Sequence, residues 1–127
     1  WRAIESAYKH APYFMFYEDL LKPFYEQKIT GLLDFNRQIT ATLLSILGLK
    51  KNIKFTDKYI ETTALNAVDL RGEFTPKLPS RYYFPEYKQV FDDRHPFHPD
   101  LSTLDLILNA GPDSIPILEK VTPLPSS

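Results

Sequence analysis

The sequence predicts a mainly α-helical protein of three to four helices, a long loop rich in proline and aromatic residues, and at most one or two short strands. Apolar residues recur at steps of three and four along the first 47 residues and again after residue 100, which indicates amphipathic helices. Nine of the eleven prolines fall at or after Pro76, where they interrupt regular structure. An apolar content of 43%, with 14% aromatic residues, is enough for a core.

The first two helices are predicted from their apolar faces. Ile4 and Tyr8 share one face of a helix that Pro12 ends. A second helix begins at Tyr13, and Pro23 inside its pattern predicts either a kink or the first position of a new helical turn.

The longest helix follows, with Thr30 as its predicted N-cap and Gly48 as its end. Its apolar face consists of Leu32, Phe35, Ile39, Leu43 and Ile46. Residues 52–55 alternate polar and apolar side chains, as a short strand does. Residues 56–85 show no sustained period, so we expect a loop with at most a turn of helix.

A final helix is predicted after the last loop prolines. Its apolar face consists of Leu101, Leu104, Ile107 and Leu108. Asp100 or Ser102 is the expected cap, and Ser102-x-x-Asp105 resembles a capping box. Gly111 predicts the helix end, and Pro112 prevents continuation. We therefore expect a single helical domain over residues 1–117 and an extended tail over residues 118–127.

Composition excludes several classes of function. A net charge of −1 without a basic run argues against nucleic-acid binding. There is no cysteine, so disulfides and thiolate chemistry are excluded. No apolar run approaches the roughly 20 residues of a membrane span, and no targeting peptide is visible, which favours a cytoplasmic location. Because Trp1 is not an ordinary initiating residue, we expect a piece of a longer protein.

Three blocks of the chain together resemble the WbqC-like family. The first comprises Trp1-Arg2, Ala7-Tyr8 and Pro12-Tyr13-Phe14, and the second comprises Asp34, Asn36 and Leu47-Gly48. The third comprises Tyr87-x-Gln89, Phe97, Leu101-Ser102, Leu104-Asp105-Leu106, Asn109 and Gly111-Pro112. Members of the family begin with a further N-terminal half, so the resemblance implies the C-terminal half of a larger α/β protein. The missing half is then this chain's first expected partner.

The resemblance also implies a function. The family's association with surface-polysaccharide (O-antigen) gene clusters implies a bacterial role in that assembly. A transferase that moves a glycyl or other aminoacyl group onto a sugar is one implied activity, with a saccharide or sugar nucleotide as substrate. The fragment alone is expected to be inactive. No residue pattern indicates a particular cofactor.

The expected site lies where the aromatic loop meets the final helix. We expect His98 and Asp105 as catalytic residues, because imidazole and carboxylate groups exchange protons. The expected substrate-binding residues are Tyr87, Gln89, Ser102 and Asn109. A tyrosine ring can stack on the face of a sugar, and an amide or hydroxyl group can form hydrogen bonds with its hydroxyls. The competing interpretation is structural: Asp105 bonds the first-turn amides, Asn109 satisfies the carbonyls near Gly111, and the aromatic residues cover the core.

Two further hypotheses bear on this site. The pattern His95-x-x-His98-x-Asp100 could converge on an ion, but loops of this composition are common, and we predict no metal site. A non-catalytic helical binding or scaffolding module is the alternative to a transferase. In that case the chain acts through a flat apolar patch. Independently of that choice, we expect the missing half to leave a wide apolar surface through which the chain self-associates, because the first two helices carry more apolar residues than one face can bury. These residues are Trp1, Phe14, Phe16, Tyr17 and Leu21.

Overall fold

A computed structural model of the protein describes residues 1–61 and 66–125. The helices are α1 (Arg2–Tyr8), α2 (Phe14–Leu21), α3 (Pro23–Glu26), α4 (Leu32–Ile46), α5 (Thr103–Ala110) and α6 (Ser114–Glu119). A 3-10 turn at Gly111–Asp113 joins α5 to α6. Strand β1 (Tyr82–Tyr83) pairs antiparallel with β2 (Thr122–Pro123), with Tyr82 opposite Pro123. The predicted fold class, mainly α with one or two short strands, is confirmed.

Within those described residues, no helix is both long and apolar enough to cross a membrane.

The first helices follow the predicted pattern closely. Pro23 occupies the first turn of α3, so of the two alternatives a new turn is confirmed. On α2, Phe14 and Leu21 lie seven residues apart, which is two helical turns, and both are buried. Met15 and Phe16 point the other way and are 82% and 74% exposed. Phe16 thus projects away from the buried stripe of Phe14 and Leu21, as predicted, whereas self-association through the exposed residues stays a prediction.

The start of α4 differs from the prediction, whereas its end does not. Gly31, not Thr30, is the N-cap, and no side chain caps the helix. The physical reason is the backbone angle at this residue, a φ of +102°, which glycine adopts without a steric cost. At the other end, Gly48 has a φ of +70°, and the Leu49 N–H donates to the Leu44 carbonyl. Such a bond around a left-handed glycine is typical of a helix C-terminus, so the predicted end is confirmed.

The core lies where α2 meets α5. Its buried members are Ala11, Phe14, Leu21, Ile107 and Leu108, and partly buried side chains that include Trp1, Tyr8, Leu43 and Leu104 surround them. The Tyr13 N–H donates to the Leu108 carbonyl at 3.0 Å, which ties the start of α2 to α5.

Helix α5 is enclosed more completely than a one-sided stripe predicts. Ile107 and Leu108 are fully buried, as predicted, but Leu101 precedes the helix and is 49% exposed. Leu106 is buried as well, although it lies off the predicted face. A helix buried on most sides is covered by more than one neighbour. Here α1, α2 and the loop before α5 all lie against it.

The chain beyond Gly111 is more ordered than predicted. After the 3-10 turn, α6 runs through Glu119, so residues 118 and 119 are helical and not extended. Pro116 is tolerated because it lies in the first turn of α6, where backbone amides have no acceptor within the helix. Thr122 and Pro123 then pair with β1, and the Leu124 N–H donates to the Arg81 carbonyl at 2.7 Å. The tail thereby closes onto the long loop.

The predicted strand at residues 52–55 is wrong, since that segment has no regular structure. An isolated strand is not stable without a partner, and alternation alone does not supply one. The described part of residues 56–85 contains turns and β1 but no helix, which agrees with the loop prediction.

The burial of α5 gives a first test. We expect Leu108→Ala to lower the free energy of unfolding by about 2–5 kcal/mol, because it removes a fully buried side chain and leaves a cavity. Leu104→Ala is the matched control on the same helix; Leu104 is only partly buried, so we expect a loss below about 2 kcal/mol. Urea unfolding with an unchanged denaturant slope measures both. Equal losses would contradict the assignment of Leu108 to the core.

Candidate functional site

The site is built around the carboxylate of Asp105 in the first turn of α5. Asp105 is only 4% exposed. Its Oδ2 accepts a hydrogen bond from the Tyr87 hydroxyl at 2.5 Å and another from Gln89 Nε2 at 3.1 Å. Its Oδ1 accepts from Asn109 Nδ2 at 3.3 Å. A buried carboxylate is stable only where donors replace water, and these three side chains are those donors.

The carboxamide of Gln89 also binds the backbone of His98. Its Oε1 accepts from the His98 N–H at 3.0 Å, and its Nε2 donates to the His98 carbonyl at 2.9 Å. Proline follows His98, which keeps this residue extended, and Pro96 and Pro99 contribute no amide donors around it. The Gln89 side chain thus forms the same two hydrogen bonds with the His98 backbone that a neighbouring β-strand would form. The His98 imidazole takes no part in them.

The aromatic loop, defined here as residues 84–101, is also held by contacts between its own residues. The Tyr87 ring packs edge-to-face on Phe97, with centroids 5.2 Å apart. A turn forms where the His95 N–H donates to the Phe91 carbonyl at 2.9 Å. The rings of His95 and His98 lie with their centroids 6.5 Å apart.

One turn along α5, Asn109 supports the same carboxylate. Besides its contact with Oδ1, Asn109 Nδ2 donates to the Asp105 carbonyl at 2.8 Å. Asn109 therefore does not satisfy the carbonyls near Gly111, as the structural interpretation expected. Its own Oδ1 is buried and has no hydrogen-bond partner within residues 1–61 and 66–125.

Two tyrosines beside Asp105 are held in their protonated form. Burial raises the pKa of Tyr8 to about 12, and the negative charge of Asp105 contributes to the shift. Burial and then the hydrogen bond to Asp105 also raise the pKa of Tyr87, although Gln89 opposes this shift. Both phenols therefore remain neutral hydrogen-bond donors at physiological pH.

These shifts predict a loss of stability at alkaline pH. The pKa of Tyr8 rises from 10.0 to about 12 in the folded protein, so the folded state holds the proton more tightly within that window. Stability contributed by this phenol is full below pH 10 and declines as the pH rises toward about 12. Because Tyr8 is only partly buried, solvent screening keeps the slope below the roughly 1.4 kcal/mol per pH unit of one proton. Urea unfolding across this window should show that the free energy of unfolding declines less steeply with pH for Tyr8→Phe than for the parent protein. Identical pH profiles of the two proteins would contradict the raised pKa of Tyr8.

A small cavity, here called the junction cavity, lies where α1, the aromatic loop and α5 meet. Its volume is about 160 Å³, and its polar lining comes from Tyr8, Gln89, His95, His98 and Asp105. The apolar lining comes from Ala7, Val90, Phe91, Pro96 and Leu101. A second recess of about 400 Å³ lies against the same loop and shares Gln89, His95 and Pro96 with the junction cavity. Residues of the aromatic loop therefore line two openings.

Comparison with known proteins gives one family. The model of the WbqC-like protein family matches residues 1–75. The chain belongs to the WbqC-like protein family. No curated protein and no solved structure matches it.

The WbqC-like match covers α1 to α4 and part of the long segment that follows. Of the junction cavity, it includes Ala7 and Tyr8, whereas Gln89, His98 and Asp105 lie beyond the matched residues. The site in this WbqC-like chain thus joins the matched helices to a later segment.

The structure brings together most of the expected site residues. Tyr87, Gln89, Asp105 and Asn109 form one hydrogen-bonded group, and His98 joins it through its backbone. Ser102 does not join this group. It is the N-cap residue of α5, and its backbone carbonyl accepts a hydrogen bond from the Asp105 N–H. Its side chain makes no cap bond, so the expected capping box is wrong.

Tyr8 is the site residue that sequence reasoning missed. Its position on the apolar face of α1 assigned it to the core, and its ring does pack there. Tyr8 also lines the junction cavity, however, and the negative charge of Asp105 contributes to the raised pKa of its phenol. The spacing of apolar residues on α1 carries no information about these contacts. Tyrosine often combines an apolar ring contact with a polar tip in this way.

Metal binding has no geometric support in the part of the chain that the structure describes. There, no three histidine or carboxylate side chains lie close enough to share an ion.

Proposed function

We propose that this WbqC-like chain holds a sugar-sized polar group in the junction cavity and acts in bacterial surface-polysaccharide (O-antigen) assembly. We further propose that it transfers a glycyl or other aminoacyl group to a sugar, in the cytoplasm and together with a preceding half of the same protein. The observation that carries the proposal is the meeting of Tyr8, Gln89, His98 and Asp105, which come from three separate segments, around one cavity.

The lining suits a small polar ligand with one less polar face. The Tyr8 phenol is a neutral donor, and Val90, Phe91 and Leu101 offer an apolar wall. Sugars need this combination of a hydrophobic surface and a few oriented polar groups. The volume of about 160 Å³ is below the ~300–1,000 Å³ of drug-sized sites, so the cavity suits a single small group.

The roles we assign follow from the contacts. In acyl transfer, a sugar hydroxyl attacks the carbonyl carbon of an activated aminoacyl ester and loses its proton while the ester oxygen leaves. We assign the His98 imidazole as the base that takes this proton, because His98 lines the cavity and its bonds to Gln89 use only the backbone. Asp105 fixes Tyr87 and Gln89, and Asn109 supports Asp105.

The sharpest test separates the His98 ring from its backbone. His98→Ala removes the imidazole but retains both bonds to Gln89, so we expect an unchanged unfolding midpoint and loss of surface-polysaccharide assembly by the full-length protein. His10→Ala is the matched control, since His10 is exposed and does not line the cavity. Normal assembly with His98→Ala, at normal protein abundance, would contradict the catalytic assignment.

One observation favours the alternative of a non-catalytic binding module. Met15 and Phe16 are 82% and 74% exposed at adjacent positions on α2. Exposed apolar pairs are common in contact surfaces, and self-association or docking of the preceding half remains a prediction of this surface. If Phe16→Glu abolishes assembly while His98→Ala does not, the module is the better description.

A further inference from the structure

A second cleft, remote in sequence from the junction cavity, lies along the C-terminal half of α4. After Ile46 the chain reverses at Gly48, where φ is +70°, and residues 49–55 run back beside the helix. The guanidinium of Arg37 lies 5.4 Å from the centre of the Phe55 ring, a cation–π contact that joins the returning segment to α4. The cleft between them has a volume of about 470 Å³, within the range of ligand sites.

The rim of this cleft is positive. Arg37, Lys50 and Lys51 line it, and no acidic residue does. Among the described residues, none of these three cations lies within 4.0 Å of a carboxylate oxygen. The C-terminal end of α4 contributes a negative dipole of about half a charge, which offsets only part of three positive charges. The cleft therefore keeps a positive potential in a protein whose net charge is −1.

The floor is apolar and aliphatic. Ala41, Leu44, Leu49 and Ile53 line it, and Ile53 is 45% exposed although it is a large hydrophobic residue. The one aromatic ring in the lining, Phe55, is engaged by Arg37. Nucleic-acid bases and nucleotides bind by stacking on aromatic faces, and Arg37 already occupies one face of the single ring in this lining. An aliphatic chain is the better match.

We propose that this cleft, here called the basic cleft, binds an amphipathic anion: a phosphate or carboxylate attached to an aliphatic chain. The anionic head contacts Lys50 and Lys51 at the rim, and the chain lies over Leu44, Leu49 and Ile53. Head and chain each contribute, because a surface ion pair alone stabilises weakly and burial of aliphatic surface adds to it.

The test uses dodecyl phosphate below its micelle-forming concentration, with the whole chain, in calorimetric titration. We expect binding that perturbs the amide NMR signals of Leu44, Gly48 and Lys51, and much weaker binding of inorganic phosphate, of AMP and of neutral dodecyl maltoside. Lys50→Glu/Lys51→Glu should weaken dodecyl phosphate by roughly tenfold or more. Lys54→Glu/Lys58→Glu is the matched control, since it changes the net charge equally at lysines that do not line the cleft.

Each alternative has its own signature. If dodecyl maltoside binds as tightly as dodecyl phosphate, the cleft recognises only the apolar chain. If inorganic phosphate binds as tightly, the cleft recognises only the charge. Equal affinity for AMP would show that the aliphatic chain is not recognised. The protein could instead float with phosphatidylcholine/phosphatidylglycerol vesicles and not bind monomeric dodecyl phosphate. That result would mean that the lysines are attracted to a charged membrane surface and not to a single amphipathic anion. Equal weakening by both lysine pairs would show that the site is elsewhere. Any of these results overturns the proposal.

Discussion

Replacing Gly111 by alanine is expected to destabilise the protein by about 2–5 kcal/mol, from strain and from overpacking together. Gly111 is buried and has a φ of +52°, a conformation that costs an L-residue free energy. A β-carbon there would lie 2.5 Å from Cδ1 of the Tyr13 ring and 2.6 Å from Cε1 and Cγ. The Tyr13 backbone is tied to the Leu108 carbonyl and the clash extends to Cγ, so the ring clears a β-carbon only by changing its rotamer. Urea unfolding of Gly111→Ala measures the loss.

Gly48→Ala is the control that isolates the backbone contribution. Gly48 also follows a helix with a positive φ, but no atom lies within 4 Å of its β-carbon position. We expect this variant to lose about 1–2 kcal/mol, the conformational cost alone. A Tyr13→Ala background should reduce the further cost of Gly111→Ala, because the ring that causes the clash is gone. Equal losses for Gly111→Ala and Gly48→Ala would mean that the Tyr13 ring moves aside at little cost.

Gly111 also shows which parts of the fold are predictable from sequence. A helix end is a local event, so apolar spacing followed by glycine predicted the ends of α4 and α5 correctly. Pro23 at the start of α3 is similarly local. Thr30 failed as a cap because a neighbouring glycine with a positive φ starts the helix instead. The clash that makes Gly111 necessary is not local, since Tyr13 precedes it by almost the whole chain.

The sequence predicted that several of these side chains lie near one another, but not the hydrogen bonds between them, and the role of these residues as a site stays a prediction. Residues at steps of three and four on α5 indicated that Asp105 and Asn109 share a face, and the structure has them in contact. The local rule for Ser102-x-x-Asp105 then predicted a carboxylate directed toward backbone amides. Tertiary donors on Tyr87 and Gln89 outcompete that arrangement, because they come from another segment and satisfy the carboxylate away from solvent. The pairing of β1 with β2, and the place of Tyr8 in the lining of the junction cavity, are equally nonlocal.

The position of Asp105 at the centre of this network leads to the second large expected effect. Asp105→Ala should lower the free energy of unfolding by about 2–4 kcal/mol, because it removes the common acceptor of Tyr87 and Gln89 and leaves their donors partly buried. Asp105→Asn should cost less, about 1–3 kcal/mol, because the asparagine keeps one acceptor oxygen. Its NH2 group, however, cannot accept from Gln89 or Asn109.

A double-mutant cycle tests whether the network acts as a unit. Tyr87→Phe removes one of the donors without changing the ring that packs on Phe97. In the Asp105→Ala background, the hydroxyl of Tyr87 has already lost its acceptor, so we expect Tyr87→Phe to cost less there than in the parent protein. Tyr83→Phe is the control, because that hydroxyl belongs to an exposed residue of β1. Additive losses for Asp105→Ala and Tyr87→Phe would show that the two side chains stabilise the fold independently, and Asp105 would then not be what fixes Tyr87 beside the junction cavity.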